Sequence, residues 1–118
     1  MTTEAFAERL ARVRRRFVFT LESKINDTDA VISNLSAKAP QAALSVGDTY
    51  RSIHGVVGVG PTVGFPSIGR AAREVESVLR GPYENRRGLS DDEILLLKKR
   101  LHALRQAASH ELQVFQSA

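Results

Sequence analysis

All four prolines and six of the eight glycines crowd into three short zones, 37–40, 55–66 and 81–88. Proline withdraws a backbone donor and glycine loosens the chain, so each zone punctuates regular structure. Between the zones apolar residues recur at three and four, the helical period, and the alternation of a strand is almost absent. The chain is therefore held to helices separated by three breaks.

Phe6, Leu10, Val13, Phe17, Leu21, Ile25, Ile32 and Leu35 form one stripe about 100° wide. The expectation is one long helix over 4–36, with Thr3 as N-cap, or two helices joined near Phe19-Thr20. Ala39-Pro40 opens the second helix, with Pro40 in the first turn, and it runs to about Gly60. The third covers roughly 67–80 on Ile68, Ala71, Ala72, Val75, Val78 and Leu79, and Gly81-Pro82 stops it. Ser90-Asp91-Asp92-Glu93 is a capping box ahead of the fourth, whose apolar face is Leu97, Leu101, Leu104, Ala108, Leu112 and Phe115. Four amphipathic helices with short connections predict an all-α, antiparallel four-helix bundle occupying residues 1–118 as one domain.

Composition narrows the function classes. Cysteine is absent, which excludes disulfides, thiolate nucleophiles and thiolate-bound metals. No apolar run reaches the ~18–20 residues of a membrane span. The first residues mix acids with arginines and lack the apolar core of a signal peptide, so a cytoplasmic location and no membrane partner are expected. Seventeen Lys+Arg against thirteen Asp+Glu leave a net charge of +4, short of a nucleic-acid binder's usual excess. Arg12, Arg14, Arg15 and Arg16 form a basic run, but Glu4, Glu8 and Glu22 interrupt it on the same helix, and no tryptophan is present to stack bases. Gly55-x-x-Gly58-x-Gly60 lacks the Gly-Lys-Ser/Thr of a phosphate loop. His102 and His110 lie about 12 Å apart along one helix, too far to share a metal. No metal or cofactor is expected.

The second helix carries the distinctive feature. Stepping about 100° per residue from His54 places Ala42, Val46, Ile53 and Val57 on the core side, with Tyr50 at its edge. His54 falls on the rim of that stripe. Gly47, Gly58, Arg51 and Gly55 lie on its open side, within about 100° of it. Each glycine costs a helix roughly 1 kcal/mol relative to alanine. Clearance around the imidazole, allowing another surface to approach, is a function worth that cost. A neutral imidazole is also a nucleophile at cellular pH.

The run from His54 through Gly58, Gly64, Phe65, Pro66, Ile68 and Ala72 to Val75-Glu76 resembles the histidine-containing phosphotransfer (HPt) domain family. The resemblance extends over nearly the whole chain and is strongest over residues 50–76. It implies that His54 accepts a phosphoryl group from a receiver-domain aspartate and passes it to another receiver, with Gly58 keeping access open. The implied partners are response-regulator receiver domains or a hybrid sensor histidine kinase, with Mg²⁺ on the receiver, and a monomer that carries phosphate without being a kinase is expected; the starting Met1 and the short tail after Phe115 point to a free-standing domain. Many family members have lysine three residues after the histidine; here Val57 stands there, and Arg51 is the nearest substitute for its charge. Pro61 is a second departure, expected to end the helix early. Arg51, Arg70 and Arg73 are candidates for steering an acidic partner. The alternative within the same fold is an inhibitor that binds a kinase or receiver without transfer, and the alternative outside it is a basic nucleic-acid-binding protein.

Overall fold

The computed structural model describes residues 3–117, without the side chains of 112 and 114–117. It is all-helical: α1 (Thr3–Val31), a 3-10 turn (Ile32–Leu35), α2 (Ala42–Val59), α3 (Pro66–Glu84) and α4 (Asp91–Ser117). All four helices feed one core, in which Leu21, Ile25, Val46, Ile53, Ile68, Leu79, Leu97, Leu101 and Leu104 are buried almost completely. Each such side chain contributes about 1.5–3 kcal/mol on leaving water. No helix among the described residues is long and apolar enough to cross a membrane.

The capping box forms as the pattern requires: Glu93 N–H donates to Ser90 Oγ at 3.2 Å and Ser90 N–H to Glu93 Oε1 at 2.9 Å. Elsewhere the boundaries shift. α1 does not split near Phe19-Thr20 but runs unbroken to Val31, because Phe19 points into solvent, 76% exposed, and nothing there interrupts the backbone ladder. Thr3 already lies inside the helix, and an N-cap would fall outside the described residues. Pro40 does not open α2. The segment before it is tied to the start of α4, with Ala37 N–H donating to Leu89 O and Leu89 N–H to Leu35 O, so the chain turns back through a left-handed Gln41 (φ 58) and becomes helical only at Ala42.

Gly81-Pro82 does not stop α3 either, and Pro82 sits buried inside its last turn. Proline forfeits one backbone bond there, but Asn85 N–H reaches Gly81 O at 3.0 Å and Arg87 N–H reaches Pro82 O at 3.0 Å, so the turn closes. α2 ends at Val59, just before Pro61. The Pro61 ring packs so tightly against Gly69 that a Cβ there would lie 2.6 Å from Pro61 Cγ, which locks the start of α3 to the end of α2.

The largest departure is in α1. Phe17, Leu21, Ile25 and Thr28 are buried, whereas Phe6 is 60% and Val13 49% exposed, so the predicted stripe is core over only its second half. Arg14 Nε donates to Val63 O at 2.8 Å and Phe17 stacks on Phe65 at 5.6 Å, clamping α1 to the α2–α3 loop. N-terminal to that clamp the outer face is open, in a molecule 54 Å long and 24 × 19 Å across. Leu112 and Phe115, assigned to the core of α4 from the sequence, have side chains outside the described set.

Candidate functional site

Glu76 explains the arrangement around His54. It stands at the edge of the apolar stripe of α3, and its side chain is only 3% exposed. A buried carboxylate is costly unless charged and polar partners surround it. Here His54 Nδ1 lies 2.7 Å from Oε2 and Arg80 Nη2 donates to Oε1 at 2.5 Å. Burial pushes the Glu76 carboxyl up, but the hydrogen bonds and charges of His54 and Arg80 outweigh it and hold the group below its ordinary value. Glu76 is thus ionised near neutrality and can only accept. Nδ1 must therefore carry the proton, so in the neutral imidazole the nitrogen with the free lone pair is Nε2. The imidazole itself is open, with its side chain 65% exposed.

Two tyrosines fix the ring from one side. Tyr50, one turn earlier on α2, stacks on His54 with centroids 5.8 Å apart, and Tyr83 of α3 stacks on Tyr50 at 4.2 Å.

The glycines differ from one another. Gly58 is exposed, and a Cβ there would meet nothing within 4 Å, so the space beside His54 is vacant. Gly55 is half-buried beneath Lys24, whose Nζ would lie 3.3 Å from an added Cβ and which donates to Ser52 O at 3.0 Å. Gly47 is buried, not open as the helical projection predicts, because the Arg51 guanidinium folds over it, 3.3 Å from where a Cβ would stand. Arg51 is itself paired with Asp48 at 2.7 Å. Val57 is half-buried against the core, and Val56 rather than Val57 is the fully buried valine of this turn. Arg70 is exposed and hydrogen-bonded to Ser67 Oγ at 3.0 Å, with no contact to His54.

His54, Tyr50, Gly55 and Gly58 therefore share one surface, and Arg70 stands apart from it. Reasoning from the sequence assigned no role to Glu76, Arg80 or Tyr83. The signal for Glu76 was present: a lone acid beside Ala72, Val75 and Leu79 on a core-facing stripe demands a cationic or donor partner from a neighbouring helix. No cluster of three or more His, Cys, Asp or Glu side chains able to hold a metal occurs among the described residues. Set against family models, curated proteins and solved structures, the chain matches none of them.

Proposed function

We propose that the chain is an HPt-like phosphoryl carrier in which His54 Nε2 takes a phosphoryl group from a receiver-domain aspartate and returns it to another. The observation that carries this reading is the buried, ionised Glu76 on Nδ1 of a solvent-exposed imidazole, which directs the nucleophilic lone pair outward. In the step, Nε2 attacks phosphorus and the aspartyl P–O bond breaks, its electron pair leaving with the partner's carboxylate. No proton moves: positive charge appears on the imidazole, and the Nδ1–H already faces the Glu76 carboxylate that offsets it. The partner brings Mg²⁺ and in-line positioning. The helix pairing supports the same reading. α2 and α3 meet as His54–Glu76 and Tyr50–Tyr83, α3 and α4 as Glu74–Arg100 and Ile68–Glu111, so residue numbers rise along one helix and fall along its neighbour, as in an antiparallel bundle.

The test is labelling, with phosphoramidate and with a panel of phosphorylated receiver domains. Wild-type protein gains an acid-labile, base-stable adduct, and His54→Gln loses it while its helical content and melting stay unchanged. Labelling that survives the substitution, or maps to the exposed His102 or His110, rules the assignment out. Binding of a receiver without labelling selects the inhibitor reading.

A further inference from the structure

We infer that the outward face of α1 from Arg9 to Arg16 is the charged flank of the surface on which an acidic receiver domain docks to reach His54. The inference rests on the phosphotransfer reading and adds to it a second contact region, on a different helix. Arg9, Arg12 and Arg16, with Val13 between them, line a groove of about 420 Å³. None of these three arginines makes an ion pair or hydrogen bond among the described residues, whereas Arg51, Arg80, Arg87, Arg100 and Arg105 each hold a carboxylate. The acids of this helix segment leave the arginines unpaired: Glu8 lies one turn before Arg12, about 40° from it, and Glu4 and Glu22 lie about 80–140° around α1 from the three.

Arg16, Thr20 and Lys24 follow one another at four-residue steps along α1 and lead from this face toward the site. A second groove, of about 170 Å³, is lined by Thr20 and Lys24 of α1 and by Gly55 and Val59 of α2, and it bridges the two helices one turn from His54. Packed helices lie roughly 8–10 Å apart. The run from Arg9 to His54 therefore spans roughly 25 Å, within the footprint of a standard interface of about 800 Å² per partner. On its other side His54 is flanked by the Tyr50–Tyr83 stack, beyond which Arg51 is already held by Asp48, so the unpaired arginines lie on the α1 side.

Charge selects the occupant. A two-fold dimer through this face would set three unpaired guanidinium groups against the same three. A bilayer fits poorly, because Phe6 and Phe19 lie about 140° apart around α1 with the arginines between them, whereas an interfacial helix centres its apolar residues. An acidic protein surface satisfies the arginines and accepts Val13 and Val59 at its edge. Exposed cations flanking a contact patch act mainly on the rate of encounter.

The experiment uses the full chain and the receiver domain that transfers fastest to it from the panel. Arg9→Gln/Arg12→Gln/Arg16→Gln and the corresponding glutamate triple are compared with wild type. Both variants keep the wild-type melting curve and rate of labelling by phosphoramidate, which needs no docking. Transfer from the receiver falls about tenfold for glutamine and further for glutamate at low salt, and the difference collapses near 0.5 M salt as screening shortens to roughly 4 Å. Transfer equal to wild type at low salt overturns the inference. So does wild-type binding to phosphatidylglycerol vesicles or poly(U) at physiological salt that both triples abolish, since the face then belongs to another anion. If no receiver in the panel transfers to wild type, the phosphotransfer reading fails, and this inference with it.

Discussion

The outer half of α1 and the packed α2–α3 pair are both helical, and both carry arginines beside apolar side chains, yet their side chains meet different fates. In α2–α3 each ionised group near His54 has a partner: Glu76 holds His54 and Arg80, and Asp48 holds Arg51. On the outer half of α1, Arg9, Arg12 and Arg16 face solvent beside Phe6 and Val13. The difference shows that a period of three and four determines that a segment is helical, while burial depends on whether another element passes over it. Beyond Arg14 and Phe17 little does.

The sharpest way to break this comparison is to delete apolar side chains from the two halves of the same stripe. Leu21 is fully buried and Phe6 is 60% exposed. Leu21→Ala removes its contacts and leaves a cavity, costing about 2–5 kcal/mol. Phe6→Ala, though the larger truncation, stays within about 0.5 kcal/mol. Urea unfolding of the two variants measures both. A loss of 2 kcal/mol or more for Phe6→Ala shows that the outer half is packed in solution, against a second copy or against the end of α4.

The same contrast marks what could be read from the sequence. The four helices and the Ser90–Glu93 box were legible because they depend on local period and local capping. The rim position of His54 was legible because Val46 and Ile53 locate the core side of α2. Three further features were not. The Gln41 turn arises from the ties between Ala37, Leu35 and Leu89, which are distant in sequence. Pro82 remains helical because later backbone bonds close its turn. Gly47 is covered by a rotamer of Arg51 that a helical projection does not contain. The Glu76–His54 bond joins residues 22 apart, and it was recoverable only as a demand for some partner, not as the partner itself.

A partnered charge in the packed region can be undone by acid, which gives the second test. The hydrogen bond from Arg87 is the largest cause lowering the Glu93 carboxyl; burial opposes it and the Ser90 N–H assists, and the group is held at about 2. A folded value below the unfolded one stabilises the protein fully above about pH 4.5, and the contribution is lost as pH falls toward 2. Because the Arg87 side chain is 46% exposed, solvent screening leaves on the order of 1 kcal/mol. Glu93→Gln preserves the capping geometry but removes the titration. Between pH 7 and pH 2.5 wild type should therefore lose about 1 kcal/mol more than Glu93→Gln, the remaining carboxylates cancelling in the difference. Equal losses mean that the Arg87–Glu93 pair is too well solvated to matter.

The last test concerns the glycine of the packed region whose missing side chain leaves open space. Gly69 is closed by the Pro61 ring, but a Cβ at Gly58 meets nothing within 4 Å. Gly58→Ala therefore gains helix propensity and reduces unfolded-chain entropy without a clash, raising stability by up to ~1 kcal/mol. Gly58→Gln should melt no lower than wild type, since its side chain extends into the same vacant space. That space lies beside the exposed imidazole, where the proposed phosphotransfer requires a partner to come close, so on that reading the glutamine variant should lose at least about tenfold in transfer from a phosphorylated receiver while phosphoramidate still labels His54. Normal transfer by a folded Gly58→Gln protein would show that the partner approaches Nε2 without crossing Gly58, and the helix would then be carrying this glycine for some reason other than access.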